Sequence, residues 1–148
     1  MSDLPQFEIP PRILIVEAPY YAHIAENLLK GAQAVLHEVG ARVEIISVPG
    51  ALEIPTSIAL AAKNYDGFVA LGCVIRGETT HYESVANESA RGLIDLGLRE
   101  RVCIGNGILT VENEVQAIVR AMPEKLDKGG FAARACLSLI ALKRKYAS

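Results

Sequence analysis

The stretch FVALGCVIRGETTHYESVANESARGL, residues 68–93, decides the fold. Its first third, Phe68 to Ile75, is a continuous apolar run broken only by Gly72 and free of charge, the pattern of a strand buried on both faces. Arg76, Gly77 and two threonines then interrupt it, and a helix follows that reaches about Leu98. Thr80 followed three residues later by Glu83 has the form of a capping box, in which the two side chains satisfy each other's backbone amides at a helix start. Strand, polar loop and helix make one unit.

The same unit recurs on either side. RILIVEAP (12–19) is a short Ile/Val-rich run behind a proline pair, and from Tyr21 to Val39 the residues Ile24, Leu28, Ala32, Val35, Leu36 and Val39 keep a helical period. Gly40 follows where a left-handed helix end is needed. RVEIISV (42–48) reads as the next strand, PGALEIP (49–55) as a turn, and TSIALAAKN (56–64) as a helix. VCIGNGILTV (102–111) is the last strand, followed by helices over 113–121 and 131–145 with MPEKLDKGG between them. Alternating strands and helices with right-handed crossovers predict a three-layer α/β/α sandwich around a four-stranded, mostly parallel sheet. Residues 1–11 are read as an N-terminal arm, in which the proline-bound FEIPPR is suited to pairing with an edge elsewhere, and 12–148 as one domain.

Composition narrows the function. The chain has 148 residues, 51% of them apolar, and 15 Lys+Arg stand against 17 Asp+Glu, so no strong field favours nucleic acid or anionic lipid. Cys73, Cys103 and Cys136 lie far apart in apolar stretches, without the close pairs of zinc or redox sites, and His23 and His37 read as surface residues of a helix, so no metal site is expected. The polar, proline-broken N-terminus does not read as a secretory signal, and no apolar run approaches the ~20 residues of a membrane span. The expectation is a soluble, cytoplasmic protein with small-molecule or protein partners.

In a parallel sheet, ligands bind beyond the carboxyl ends of the strands, which selects APYY (18–21), PGALE (49–53), RGETTH (76–81) and the region from GNG (105–107) through LTVEN (109–113). Gly50 permits close backbone approach, and Glu53 is either a helix-start acid or a carboxylate aimed at ligand. Gly77, Glu78 and Thr79 offer amides and a hydroxyl at a helix N-terminus, an anion site, without the spacing of a nucleoside-triphosphate loop. His81 stands in the first helical turn as a candidate for proton transfer. Tyr20 and Tyr21 offer a flat surface for a ring, or packing for the adjacent helix. Arg120 and Lys128 are candidate cations for a phosphate. These residues point to a small phosphorylated or polyhydroxylated metabolite.

The blocks GALEIP, GCVIRGETTHYESVANESARGL, NGILT and DKG, in this order and at these separations, resemble the 6,7-dimethyl-8-ribityllumazine synthases over nearly the whole chain from about residue 12. That family has a flavodoxin-like fold and condenses 5-amino-6-ribitylaminouracil with 3,4-dihydroxy-2-butanone 4-phosphate, releasing phosphate and water, with no metal or organic cofactor. The resemblance implies phosphate at Gly77, Glu78 and Thr79 with Arg120, and proton transfer by His81. It places the pyrimidine against Tyr20 and the ribityl chain along Gly50, Ala51, Leu52 and Glu53, with Cys73, Val74 and Ile75 lining the same pocket. It also implies a site shared between subunits of a homopentamer, with Asn106, Arg120 and Lys128 coming from the neighbour and the arm added to the neighbour's sheet. Family members also pair pentamers or close sixty-subunit shells; the expectation here is an isolated pentamer. Asn106 and Phe131 depart from the common pattern, which has phenylalanine and an acidic residue there. A non-catalytic flavin- or lumazine-binding protein on the same scaffold is the rival reading.

Overall fold

In the computed structural model, which describes residues 3–147, the strands β1 (Arg12–Glu17), β2 (Arg42–Ser47), β3 (Gly67–Ile75) and β4 (Ile104–Val111) pair in the order β2-β1-β3-β4. Every pairing is parallel. The helices are α1 (Ala22–Glu38), α2 (Glu53–Ala61), α3 (His81–Glu100), α4 (Glu114–Ala121) and α5 (Lys128–Lys145). Alternation along the central strands divides the core into two layers. Ile13, Ile15, Val69 and Leu71 pack with Ile24, Leu28, Ala133 and Leu137 beneath α1, α4 and α5, while Leu14, Val16, Phe68 and Ala70 meet Ile54, Ile58 and Leu93 of α2 and α3. Burying one such large side chain stabilises the fold by about 1.5–3 kcal/mol. The chain therefore has the flavodoxin-like α/β arrangement expected of it.

Coverage of both faces holds at β1 and β3 but fails at the β2 edge, where Ile45 and Ile46 remain 38% and 40% exposed. Two helix starts also differ from the sequence reading. α2 begins at Glu53, not Thr56, so that PGALEIP is only half turn; Pro55 falls in the first turn, where its missing N–H is one of the helix's unpaired donors anyway. α5 begins at Lys128, not Phe131, because Asp127, at φ 48°, caps it by accepting from the Gly130 amide at 3.2 Å. The paired glycines behind Asp127 have a packing reason. A Cβ on Gly129 would overlap the Leu28 carbonyl where α5 crosses α1, and one on Gly130 would overlap the capping Asp127 carboxylate. Gly40, at φ +69°, ends α1 in the left-handed conformation expected.

Within the described residues the arm lies against α5 of its own chain. Arg144 donates to the Ile9 carbonyl at 2.7 Å, stacks 5.3 Å from the Phe7 ring centre and pairs with Asp66 at 3.5 Å. Asp66 also accepts from the Arg12 amide at 2.7 Å, tying the arm to the start of β1. Among the described residues no helix is long and apolar enough to cross a membrane, and no group of three or more His, Cys, Asp or Glu side chains is arranged to hold a metal ion.

Candidate active site

The sheet's register builds a step at its carboxyl end. The last β1 partner on β3 is Leu71, whereas β3 and β4 stay paired as far as Ile75 and Val111. Gly72 to Ile75 therefore rise beside β4 alone, and Cys73, Val74 and Ile75 form a half-buried wall. At the foot of the wall Glu17, Ala18, Tyr21, Gly72 and Cys73 close around a small crevice. Tyr20 stands beside it, 79% exposed and edge-on to Tyr21 with ring centres 4.9 Å apart. A tyrosine so exposed is free to stack; Tyr21, half-buried against the core, supplies the packing. Burial pushes the Cys73 thiol up to about 11, with Glu114 adding to the shift, so this cysteine stays protonated and unreactive at neutral pH. Tyr21 is raised in the same direction, mainly by burial.

On the β2 side, the loop entering α2 is closed by the Glu53 amide donating to the Gly50 carbonyl at 3.1 Å. A Cβ on Gly50 would lie 3.1 Å from Glu53 Oε1, so the carboxylate hangs over the loop's own backbone. Ala51 is buried and Leu52 exposed but apolar, so the Gly50 backbone and the Glu53 carboxylate are the polar groups this loop presents.

The β3–α3 loop is where sequence reading and structure part. Thr80 sits at the N-cap but makes no side-chain cap bond. Glu83, expected to complete a capping box, is drawn instead to the Arg76 guanidinium, which holds its carboxyl below the usual range. An ion pair with a rigid guanidinium fork outcompetes a neutral amide for a carboxylate. The amide of His81 is taken by Thr79 Oγ1 at 3.2 Å. Among the described residues the amides of Gly77, Glu78 and Thr79 donate to nothing in the chain. Gly77 has no positive φ, and a Cβ there would meet nothing within 4 Å, so the fold does not require this glycine. Three free amides in front of a 20-residue helix, behind a glycine that keeps the approach open, suit an anion. His81 stands exposed at the helix start beside these amides.

A family model described as 6,7-dimethyl-8-ribityllumazine synthase matches residues 10–144. The chain belongs to that family. Proteins of that name from Bartonella tribocorum and Novosphingobium aromaticivorans are each 58% identical to it, over 92% of this chain and 92% of the first relative, and over 91% and 98% for the second. The protein of the same name from Agrobacterium fabrum is 56% identical over 91% of this chain and 96% of its own length. The match to the lumazine synthase family takes in all four strands and both halves of the step.

Of the remaining expected site residues of this lumazine synthase family member, Asn106 lines a cavity with Arg76, Tyr82 and Glu83, whereas Arg120 and Lys128 make their contacts inside their own helices. Asn106 lies mid-strand opposite Ala70, and its Oδ1 accepts from the Ile108 amide at 2.9 Å on the outer edge of β4. Arg120, in the last turn of α4, donates to the Gln116 carbonyl at 3.1 Å. Lys128 opens α5 with its ammonium 5.2 Å from the Phe131 ring centre. None of these contacts reaches Gly77, Glu78 or Thr79. The structure also brings in two acids to which sequence reading gave no role: Glu112, inside the selected LTVEN segment, pairs with Arg76, 36 positions away, and Glu114, just beyond it, faces Tyr21 and Cys73. The available signal was position, since both acids follow directly on β4 at the ligand-binding end of the sheet.

Proposed function

We propose that this protein is a 6,7-dimethyl-8-ribityllumazine synthase, a transferase of riboflavin biosynthesis that joins 5-amino-6-ribitylaminouracil to 3,4-dihydroxy-2-butanone 4-phosphate. The observation that carries the reading is the row of free amides at Gly77, Glu78 and Thr79, an anion site in a chain of this family. The butanone's phosphate occupies that row. The pyrimidine stacks on Tyr20 against the wall of Cys73, Val74 and Ile75, and the ribityl hydroxyls bond along Gly50, Ala51, Leu52 and Glu53. The diaminouracil's amine is already a nucleophile: it attacks the ketone, water leaves to give an imine, phosphate is eliminated to leave an enol that becomes a carbonyl, and the ribityl-bearing nitrogen closes the ring on that carbonyl with loss of a second water. The protein supplies orientation and one proton shuttle through His81.

Assembly completes the site. Arg120 provides the second half of the phosphate contact, and Asn106 and Lys128 the far wall, from an adjacent subunit of a homopentamer. Within one chain Arg120 and Lys128 make their contacts inside their own helices, which supports this, as does the part-exposed β2 edge, which offers a neighbour's arm a strand to pair with. The protein works in the cytoplasm, where both substrates are soluble. Single-turnover lumazine formation, comparing wild type with Arg120→Ala across butanone-phosphate concentrations, tests the arrangement. The variant should lose activity mainly through the phosphate substrate; activity unchanged at low butanone phosphate would remove Arg120 from the site.

A further inference from the structure

Arg76 follows the last residue of β3, and its amide is fixed by the Val111 carbonyl at 2.9 Å. Its guanidinium reaches two carboxylates on different elements. Nη1 pairs with Glu83 in the first turn of α3, and Nε pairs with Glu112, just past β4, at 2.9 Å to Oε1. The face of the same group covers the Tyr82 ring, 4.5 Å from its centre. One side chain thus ties together the end of β3, the first turn of α3 and the end of β4. These are the segments that flank residues 77–80.

Little else holds that loop. Its residues are exposed, Thr80 does not cap α3, a Cβ on Gly77 would meet nothing within 4 Å, and the Thr79 hydroxyl bonds only two residues ahead. The direction of the amides at Gly77, Glu78 and Thr79 is therefore set from the two ends, and Arg76 grips both. Its charge is not available for a ligand, because one guanidinium already faces two carboxylates. Those carboxylates raise the Arg76 pKa further, and the group stays charged throughout the working range. A single exposed ion pair would be worth little, but a planar fork shared by two acids and backed by a ring is a rigid tie.

We propose that Arg76 is a positioning residue for phosphate: clamped by Glu83 and Glu112, it holds the β3–α3 loop with its amides aimed at one point. This rests on the reading that the loop binds the butanone's phosphate. Without the tie the loop must be ordered each time phosphate binds, and the ordering cost falls on phosphate affinity.

The test measures KM for each substrate and competitive inhibition by inorganic phosphate in wild type, Arg76→Met, Glu112→Gln and the uncharged triple variant Arg76→Met/Glu83→Gln/Glu112→Gln. Arg76→Met should raise the KM for butanone phosphate and the inhibition constant of phosphate together by about tenfold, with the pyrimidine KM within about twofold. Glu112→Gln, which removes one arm of the fork and leaves the fold intact, should move both phosphate constants in the same direction by about threefold. The triple variant should stay as weak as Arg76→Met, since neutralising the acids does not restore the tie. Recovery in the triple variant would overturn positioning in favour of charge balance. Unchanged phosphate constants in Arg76→Met and Glu112→Gln, or an equal rise in both KM values, would also overturn it. If wild type itself shows no competition between inorganic phosphate and butanone phosphate, the phosphate-loop reading falls first and this inference with it.

Discussion

Replacing Gly77 by alanine separates what the fold needs from what the ligand needs. An added Cβ meets no atom within 4 Å, and the residue does not occupy the left-handed region. The substitution should therefore leave the folded chain unstrained, and by restricting the unfolded chain it can add about 0.4–1 kcal/mol of stability. In a chain of 148 residues this corresponds to a rise of roughly 1–4 °C in Tm. The same methyl group stands in front of the amides that a phosphate would approach. A hydrogen bond to a charged group is worth about 1.5–3 kcal/mol. At 1.4 kcal/mol per decade, pushing phosphate off one amide raises the KM for butanone phosphate about tenfold or more. Steady-state lumazine formation at varied butanone phosphate, beside thermal melting, reads both quantities. A Gly77→Ala protein with normal Tm and normal KM would refute close backbone approach at this loop. A large fall in Tm would show that the glycine is structural after all.

Gly129→Ala is the counterpart: its Cβ would overlap the Leu28 carbonyl and force α5 away from α1, so urea unfolding should show a loss of about 1–3 kcal/mol. Asn113→Ala removes a cap that accepts from the Gln116 amide at 2.9 Å and should cost about 1 kcal/mol, while Thr80→Ala, which removes no cap bond, should stay within about 0.5 kcal/mol. Arg76 holds the Glu83 carboxyl below its ordinary range, so that pair's contribution is complete above the unfolded value of about 4.3 and is lost as pH falls through the lower folded value. The stability deficit of Glu83→Gln should accordingly be present at neutral pH and shrink in acid; a deficit that grows on acidification would contradict the assignment. His81→Ala should slow turnover without abolishing it, and an unchanged single-turnover rate would remove its role in proton transfer.

The architecture was legible because the strands announce themselves by short apolar runs, free of charge in β3 and β4, and α1 by an unbroken helical period ending at Gly40. What the sequence hid depends on pairings across distance or on backbone detail. A proline in the first turn of α2 looks, in one dimension, like a reason for the helix to start later. Thr80 and Glu83 have the spacing of a capping box, but Arg76 lies within reach of Glu83 and a charged partner wins. Ile45 and Ile46 are as apolar as their counterparts in β1, and only strand order reveals that β2 lies at an edge. For the site, the residues at strand ends could be named because a parallel sheet presents them at one end. Asn106 falls under the same rule and shares a cavity with Arg76, Tyr82 and Glu83, but Arg120 and Lys128 lie on helices that no strand-end rule selects, and within one chain their contacts stay inside those helices.

Mixing the protein with both substrates, and following lumazine absorbance and released phosphate together, tests the central claim most directly. One phosphate should be released for every lumazine formed, with both rates falling in Gly77→Ala when butanone phosphate is limiting. Flavin or lumazine binding with neither product appearing would contradict it, and would make the chain a binding protein on a synthase scaffold.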